Sequence, residues 1–211
     1  MSSTASRLPS WFSRAVVEAA LIVFAVVLGF IVNEWREDVA DRHAAEIAMG
    51  RVVAEMESNI GRLEAVASYH EAVVERIQDR LAEIEAEPAT GRSVLFDELP
   101  LIMPRGINAP GLTSFAWEHA QQHGHLDVLP YETVSETARV YTLQESGVEA
   151  TWRQIVDLVF SGPQVMREED ITPSLRFTQI GFQELASQER FLIGQYQTVV
   201  DELRADGLGS E

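Results

Sequence analysis

The chain has 211 residues, with 33 acidic against 16 basic side chains and a formal net charge of −17, a balance that repels nucleic acid and anionic lipid. It contains no cysteine, which excludes disulfides, thiol catalysis and cysteine-ligated metals. Length suits one domain plus an appended segment, and charge divides the two. Residues 1–33 hold two arginines and one glutamate, a net of +1, whereas the rest holds 14 arginines against 32 acids, a net of −18.

Residues 1–10 are polar and read as a disordered cytoplasmic tail, with Ser10 placed to cap the helix that follows. Residues 11–36 read as a transmembrane anchor. Between 15 and 32 the only ionisable side chain is Glu18, and a helix of that length spans about 27 Å, close to the ~30 Å hydrocarbon core of a bilayer. Trp11 and Phe12 on one side and Trp35 on the other suit the headgroup level, with Asn33 and Arg36 at the far boundary. Glu18 lies one turn past Arg14, where the pair holds an interfacial acid; an acid inside a span otherwise points to a partner subunit. Ala25 and Gly29 form a small-x-x-x-small pair through which a second helix can approach. The apolar run ends without an Ala-x-Ala site, unlike a cleaved signal peptide. Basic residues flank the span almost evenly, so the short leading tail decides: the N-terminus is expected inside and the acidic domain outside.

The domain, residues 37–206, reads as helical. No breaker follows Trp35 for about fifty residues, so the anchor helix is expected to run on into the domain. From Met49 its seam reads Met49, Val53, Met56, Ile60, Leu63, Ala67, His70, Val74, Ile77, Leu81, Ile84, alternating by four and three. Val52, Val66 and Val73 widen it into the broad stripe of a bundle helix. Pro88 and Gly91 end it. Residues 88–112 then form a long Pro- and Gly-rich connection, with one short helix expected near 94–99. A second short helix is capped by Thr113 and closed by Gly124. Residues 130–160 carry the seam Tyr131, Val134, Ala138, Tyr141, Glu145, Val148, Trp152, Ile155, Val159, unbroken through Ser146-Gly147, and so predict one helix bent there. Gly162-Pro163 stops it. Thr172-Pro173 caps the last helix, whose seam is Phe182, Leu185, Glu189, Leu192, Tyr196, Val199, Leu203. Residues 207–211 read as a disordered tail. The expected fold is therefore all-α: a transmembrane helix followed by an antiparallel bundle of three long helices with a short crossover helix.

Chemistry-bearing motifs are sparse. His119 and His123 are four apart on a short helix with His125 just beyond, a spacing that can chelate zinc. The residue after His119 is Ala120, not the glutamate a zincin needs as general base. No glycine-rich phosphate loop and no Gly-x-Ser-x-Gly elbow occurs. Each long seam has one titratable exception near its middle: His70, Glu145 and Glu189. In an antiparallel bundle the three fall at one level, which predicts a buried polar layer that fixes helix register.

The run Glu18-x-x-Leu21-Ile22-Val23 through Asn33-Glu34-Trp35-Arg36 precedes a long charged helix, then Trp117-Glu118, Gly124 and Tyr141-x-x-Gln144. This pattern resembles a family of uncharacterised single-pass membrane proteins of proteobacteria. The resemblance implies a bacterial inner-membrane protein of no assigned activity. These observations together lead us to expect a non-enzymatic, membrane-anchored module without cofactor, nucleic acid or metal. Its partner would be another membrane or envelope protein, or a weakly held second copy. The alternatives are a sensor with a ligand held near Trp117, Tyr131 and Trp152, and a hydrolase using His119 and His123.

Overall fold

The structure, a computed structural model, describes residues 10–160 and 170–209, with side chains from Val17 onward. Among them every element is helical and none is a strand. The first helix, α1 (Ser10–Ala86), is one rod of 77 residues, about 115 Å long. It contains no proline, and its interior glycines cost only about 1 kcal/mol each against alanine. The expected leading tail up to residue 9, the Trp11 side chain and the stop at Gly162-Pro163 lie outside the described residues.

From Val17 to His43 every α1 side chain is exposed, and the first buried one is Ala45. This is one helix long and apolar enough to cross a membrane, compatible with a single-pass membrane protein. Glu18, Ala25, Gly29, Asn33, Trp35 and Arg36 all lie on the bare part. A Cβ on Gly29 would meet nothing within 4 Å, and Asn33 donates to Glu37 one turn on at 2.7 Å.

Pro88 ends α1 and opens a 3₁₀ turn (Pro88–Gly91). Next come α2 (Leu95–Ile102), α3 (Phe115–Gln122) and α4 (Tyr131–Leu143). A π-turn (Gln144–Glu149) joins α4 without a break to α5 (Ala150–Phe160), so the bend expected at Ser146-Gly147 is a local widening of a continuous helix. The last helix is α6 (Thr172–Ala205).

The α1–α6 pair is the spine. It is antiparallel: Arg204 reaches Glu57 and Arg190 reaches Glu71, while Ile171 donates its N–H to Gly91 at the far end. The α4–π–α5 unit runs antiparallel along α6, where Arg139 meets Gln195 and a Cβ on Gly181 would press on Ile155. Helix α3 fills the groove between α1 and α4. The core is one apolar cluster running from Ala48 and Met49 at the anchor end to Ile84, Leu95 and Ile171 at the far end.

Three boundary expectations change. Thr113 does not cap α3: its hydroxyl donates to Asn59 Oδ1, and the α3 N–H groups of Ala116 and Trp117 are capped across the chain by Glu55, at 3.1 and 3.4 Å. Thr172 is inside α6, its N–H taken by Asp170 Oδ1 at 2.9 Å, a bond that holds the Asp170 carboxyl below its ordinary value. Residues 207–209 are not a disordered tail. Leu208 N–H returns to Leu203 and Gly207 N–H to Arg204, with Gly207 at φ +79°, the double bond of a helix-terminating Schellman motif. Leu208 is buried, and Gly209 packs so closely on α1 that a Cβ would lie 2.8 Å from Val53.

Candidate functional site

The segment between α1 and α3 is bound down rather than loose. It returns antiparallel along α1, and its backbone is gripped by side chains of that helix at each level. Arg80 donates to Thr90 O at 2.7 Å and clasps the buried Glu98 carboxylate with two bonds of 3.0 Å. Arg76 reaches Ile102 O, Tyr69 donates to Gly106 O at 2.6 Å, and Arg62 reaches Gly111 O. The Tyr69 oxygen also accepts the Arg105 N–H, and the Arg105 guanidinium lies 4.7 Å over the Tyr69 ring. A loop without its own ladder must find partners for its backbone groups; here α1 supplies them.

His70 and Glu189 meet in the middle of this ladder, both with side chains at 0 % exposure. His70 Nδ1 lies 3.0 and 2.9 Å from the two Glu189 oxygens, and Nε2 lies 2.7 Å from Ile107 O. Phe182 and Tyr69 wall the imidazole at 5.5 and 5.7 Å. Burial pushes the Glu189 carboxyl above its ordinary value, against the lowering effect of His70.

Glu145 is not part of this layer. The helices do bring the π-turn level with the pair, since a Cβ on Gly147 would sit 3.8 Å from Gln188, but Glu145 is exposed. Gln144 takes the inward position, which heptad spacing allows equally, three rather than four residues after Tyr141. The physical reason is that an amide can both accept and donate in the core, here from Tyr196 and to Glu149, whereas a second carboxylate there can only accept and would need a cation.

Gln144 belongs to a separate buried network, 11 residues or about 16 Å further down α1. Asn59 Nδ2 donates to Thr113 O at 2.8 Å and approaches Gln144 Oε1 and Tyr196 Oη at 3.3 and 3.4 Å. Asn59 Oδ1 accepts Thr113 N–H at 3.1 Å, Tyr196 donates to Gln144, and Gln144 Nε2 donates to Glu149 at 2.8 Å. Asn59 lies at heptad spacing between Val52, Val66 and Val73, and that spacing alone marks it as a polar residue on a buried stripe.

Beside this network is a cleft of about 390 Å³ between α3 and α4–π, lined by Trp117, Tyr141, Gln144, Glu118, Glu145 and Glu149 among others. Trp117 and Tyr141 are stacked at 5.6 Å and 4°. Tyr141 donates to Glu55 at 2.8 Å, and burial, then Glu55, push its hydroxyl far above the usual tyrosine range. Trp117, Tyr131 and Trp152 do not converge on one ligand. Tyr131 is 80 % exposed, and Trp152 lines a separate hollow of about 250 Å³ against residues 109–112.

His119, His123 and His125 gather at the end of α3, their rings 4.0, 5.9 and 6.4 Å apart. His123 Nδ1 donates to His119 O at 2.9 Å. The neighbouring His123 charge chiefly, with some desolvation, His125 and Arg51, lowers the His119 pKa. Among the described residues no set of three or more histidines and acids is arranged to hold a metal ion. Comparison with protein-family models, curated proteins and solved structures finds no match, so function is read from the chain's own geometry.

Proposed function

We propose that the protein is a non-enzymatic, single-pass membrane module that carries an acidic helical interaction domain outside the cytoplasm of a bacterial cell, anchored in the inner membrane. In this reading α1, α4–α5 and α6 act as an antiparallel bundle of three long helices. The observation that carries it is the continuity of α1: the same unbroken helix is bare and apolar from Val17 to Val32 and buried in the domain core from Ala45 to Ile84. Such a connection has no hinge, so the domain moves with its anchor as one body. The buried polar groups support a structural role, because His70, Glu189, Asn59 and Gln144 spend their hydrogen bonds on one another, on Tyr196 and Glu149, and on the returning backbone.

Crosslinking in native membranes, with identification of captured proteins, tests the interaction role; capture of the chain alone overturns it. A reporter active only outside the cytoplasm, fused after Gly209, tests placement. Activity of a cytoplasmic reporter at that site instead reverses the orientation.

The cleft over Trp117 and Tyr141 favours a second reading, a ligand-binding sensor for an organic cation. A melting shift with tetramethylammonium that Trp117→Ala removes would select it.

A further inference from the structure

The strap from Met103 to Ser114 has one tie whose strength depends on a proton. Its other ties are made by the Arg62 guanidinium, the Tyr69 hydroxyl and the Asn59 amide. The central tie, His70 to Ile107 O, uses an imidazole whose second nitrogen faces a carboxylate.

Hydrogen-bond accounting fixes the protons. Ile107 O can only accept, so Nε2 carries a hydrogen. Nδ1 and a carboxylate can only join through a second proton, whether it sits on the nitrogen or on the oxygen. Neither side chain is exposed, so bulk solvent does not reach the pair to bridge it when the proton is missing. We propose that His70 and Glu189 form a proton-operated latch that holds the strap along α1 while the shared proton is present and releases it when that proton is lost.

Removal of the shared proton leaves one hydrogen for two acceptors. A charge-assisted N–H to carboxylate bond is about twice as strong as a neutral one, so the remaining hydrogen moves to the Glu189 side. Nε2 then faces Ile107 O lone pair to lone pair, and the strap loses its central tie. The cost therefore falls on the strap rather than on the α1–α6 contact. Release would uncover Met103 and Ile107, both buried when the strap is docked.

The charged surroundings do not override this. Arg190, next to Glu189 on α6, and Glu71, next to His70 on α1, act on Glu189 from the surface and are paired with each other at 2.7 and 2.9 Å. The strap brings Arg105, which is seated over the Tyr69 ring. The π-turn brings Gly147, which faces the uncharged Gln188.

Direction follows from linkage. A carboxyl whose folded pKa is raised above its unfolded value contributes stability that is complete below the unfolded pKa and is lost as pH rises through the folded one. The raised Glu189 carboxyl thus makes alkalinisation the releasing direction. Glu189→Gln keeps a neutral donor to Nδ1 and cannot lose it, so it should lock the latch.

The test is hydrogen exchange of the full chain in lipid nanodiscs from about pH 5 to pH 9, corrected for intrinsic rates. We expect protection of residues 105–113 to fall at least about tenfold with rising pH, while α1 residues 45–56 hold theirs. In Glu189→Gln the strap protection should stay flat. Flat protection in the unmodified protein overturns the latch, as does an unchanged pH profile in Glu189→Gln. Peptides 192–203 of α6 report whether that variant is folded.

Discussion

Asn59→Leu is the most informative single substitution for the architecture. The two side chains share the same branched heavy-atom shape, with leucine the bulkier, so the change removes polar groups without opening a cavity. Asn59 is wholly buried and makes both bonds to the Thr113 backbone, its oxygen taking the N–H at 3.1 Å and its amide meeting the carbonyl at 2.8 Å, beside the longer one from the Thr113 hydroxyl. Gln144 and Tyr196 keep the bond between them, so the loss falls on Thr113. A buried backbone group left without a partner costs about 1–3 kcal/mol. Thr113 is half-buried, so water recovers part of that, and two orphaned groups should cost about 2–4 kcal/mol. Urea unfolding of the full chain in mild detergent, followed by circular dichroism, measures it. A cost below about 0.5 kcal/mol, the scale of an ordinary surface change, would show that the network does not pin the strap to α1.

Arg80→Met removes the cation from the buried Glu98 carboxylate and should cost about 3 kcal/mol in the same assay, while Arg80→Met with Glu98→Leu should recover most of it. His123→Gln should raise the His119 pKa in an NMR titration, because His123 is the main cause of its lowering. With a lowered folded value the unfolded chain takes up the proton first, so His119 weakens the fold as pH drops below about 6.5, and His123→Gln should reduce that loss. Gly209→Ala places a Cβ at φ +87° and 2.8 Å from Val53; a cost of about 1–2 kcal/mol is expected from the left-handed backbone alone, read as a lower urea midpoint.

The apolar seams made the helices legible. The run from Met49 to Ile84 marked α1 as one packed rod, Pro88 marked its end, and Ser146-Gly147 marked the place where α4 passes through the π-turn into α5. The return of the whole segment from Pro88 to Ser114 along α1 was not legible, because it is held by Arg80, Arg76, Tyr69, Arg62 and Asn59 reaching backbone carbonyls, and such bonds leave no periodic trace in the segment's own residues. The same cause hid the cap of α3: Thr113 and Ser114 have the right chemistry locally, yet Glu55, some sixty residues earlier, supplies the carboxylate. The inward choice of Gln144 over Glu145 was undetermined by spacing, since both three and four residues complete a helical turn. Asn59 was visible in principle, as the polar member of a valine series at intervals of seven.

The unbroken α1 helix has a mechanical consequence. In the proposed placement, with Arg36 at the membrane boundary, the rod runs about 75 Å on to Ala86 at the far tip. A transmembrane helix tilts by about 20° on average, and a lever of that length turns such a tilt into about 25 Å of lateral travel at the tip. Residues 96 and 177, exposed phenylalanines near that far end, would move with it, so in that placement a change in bilayer thickness that alters tilt also alters which neighbours the domain can touch.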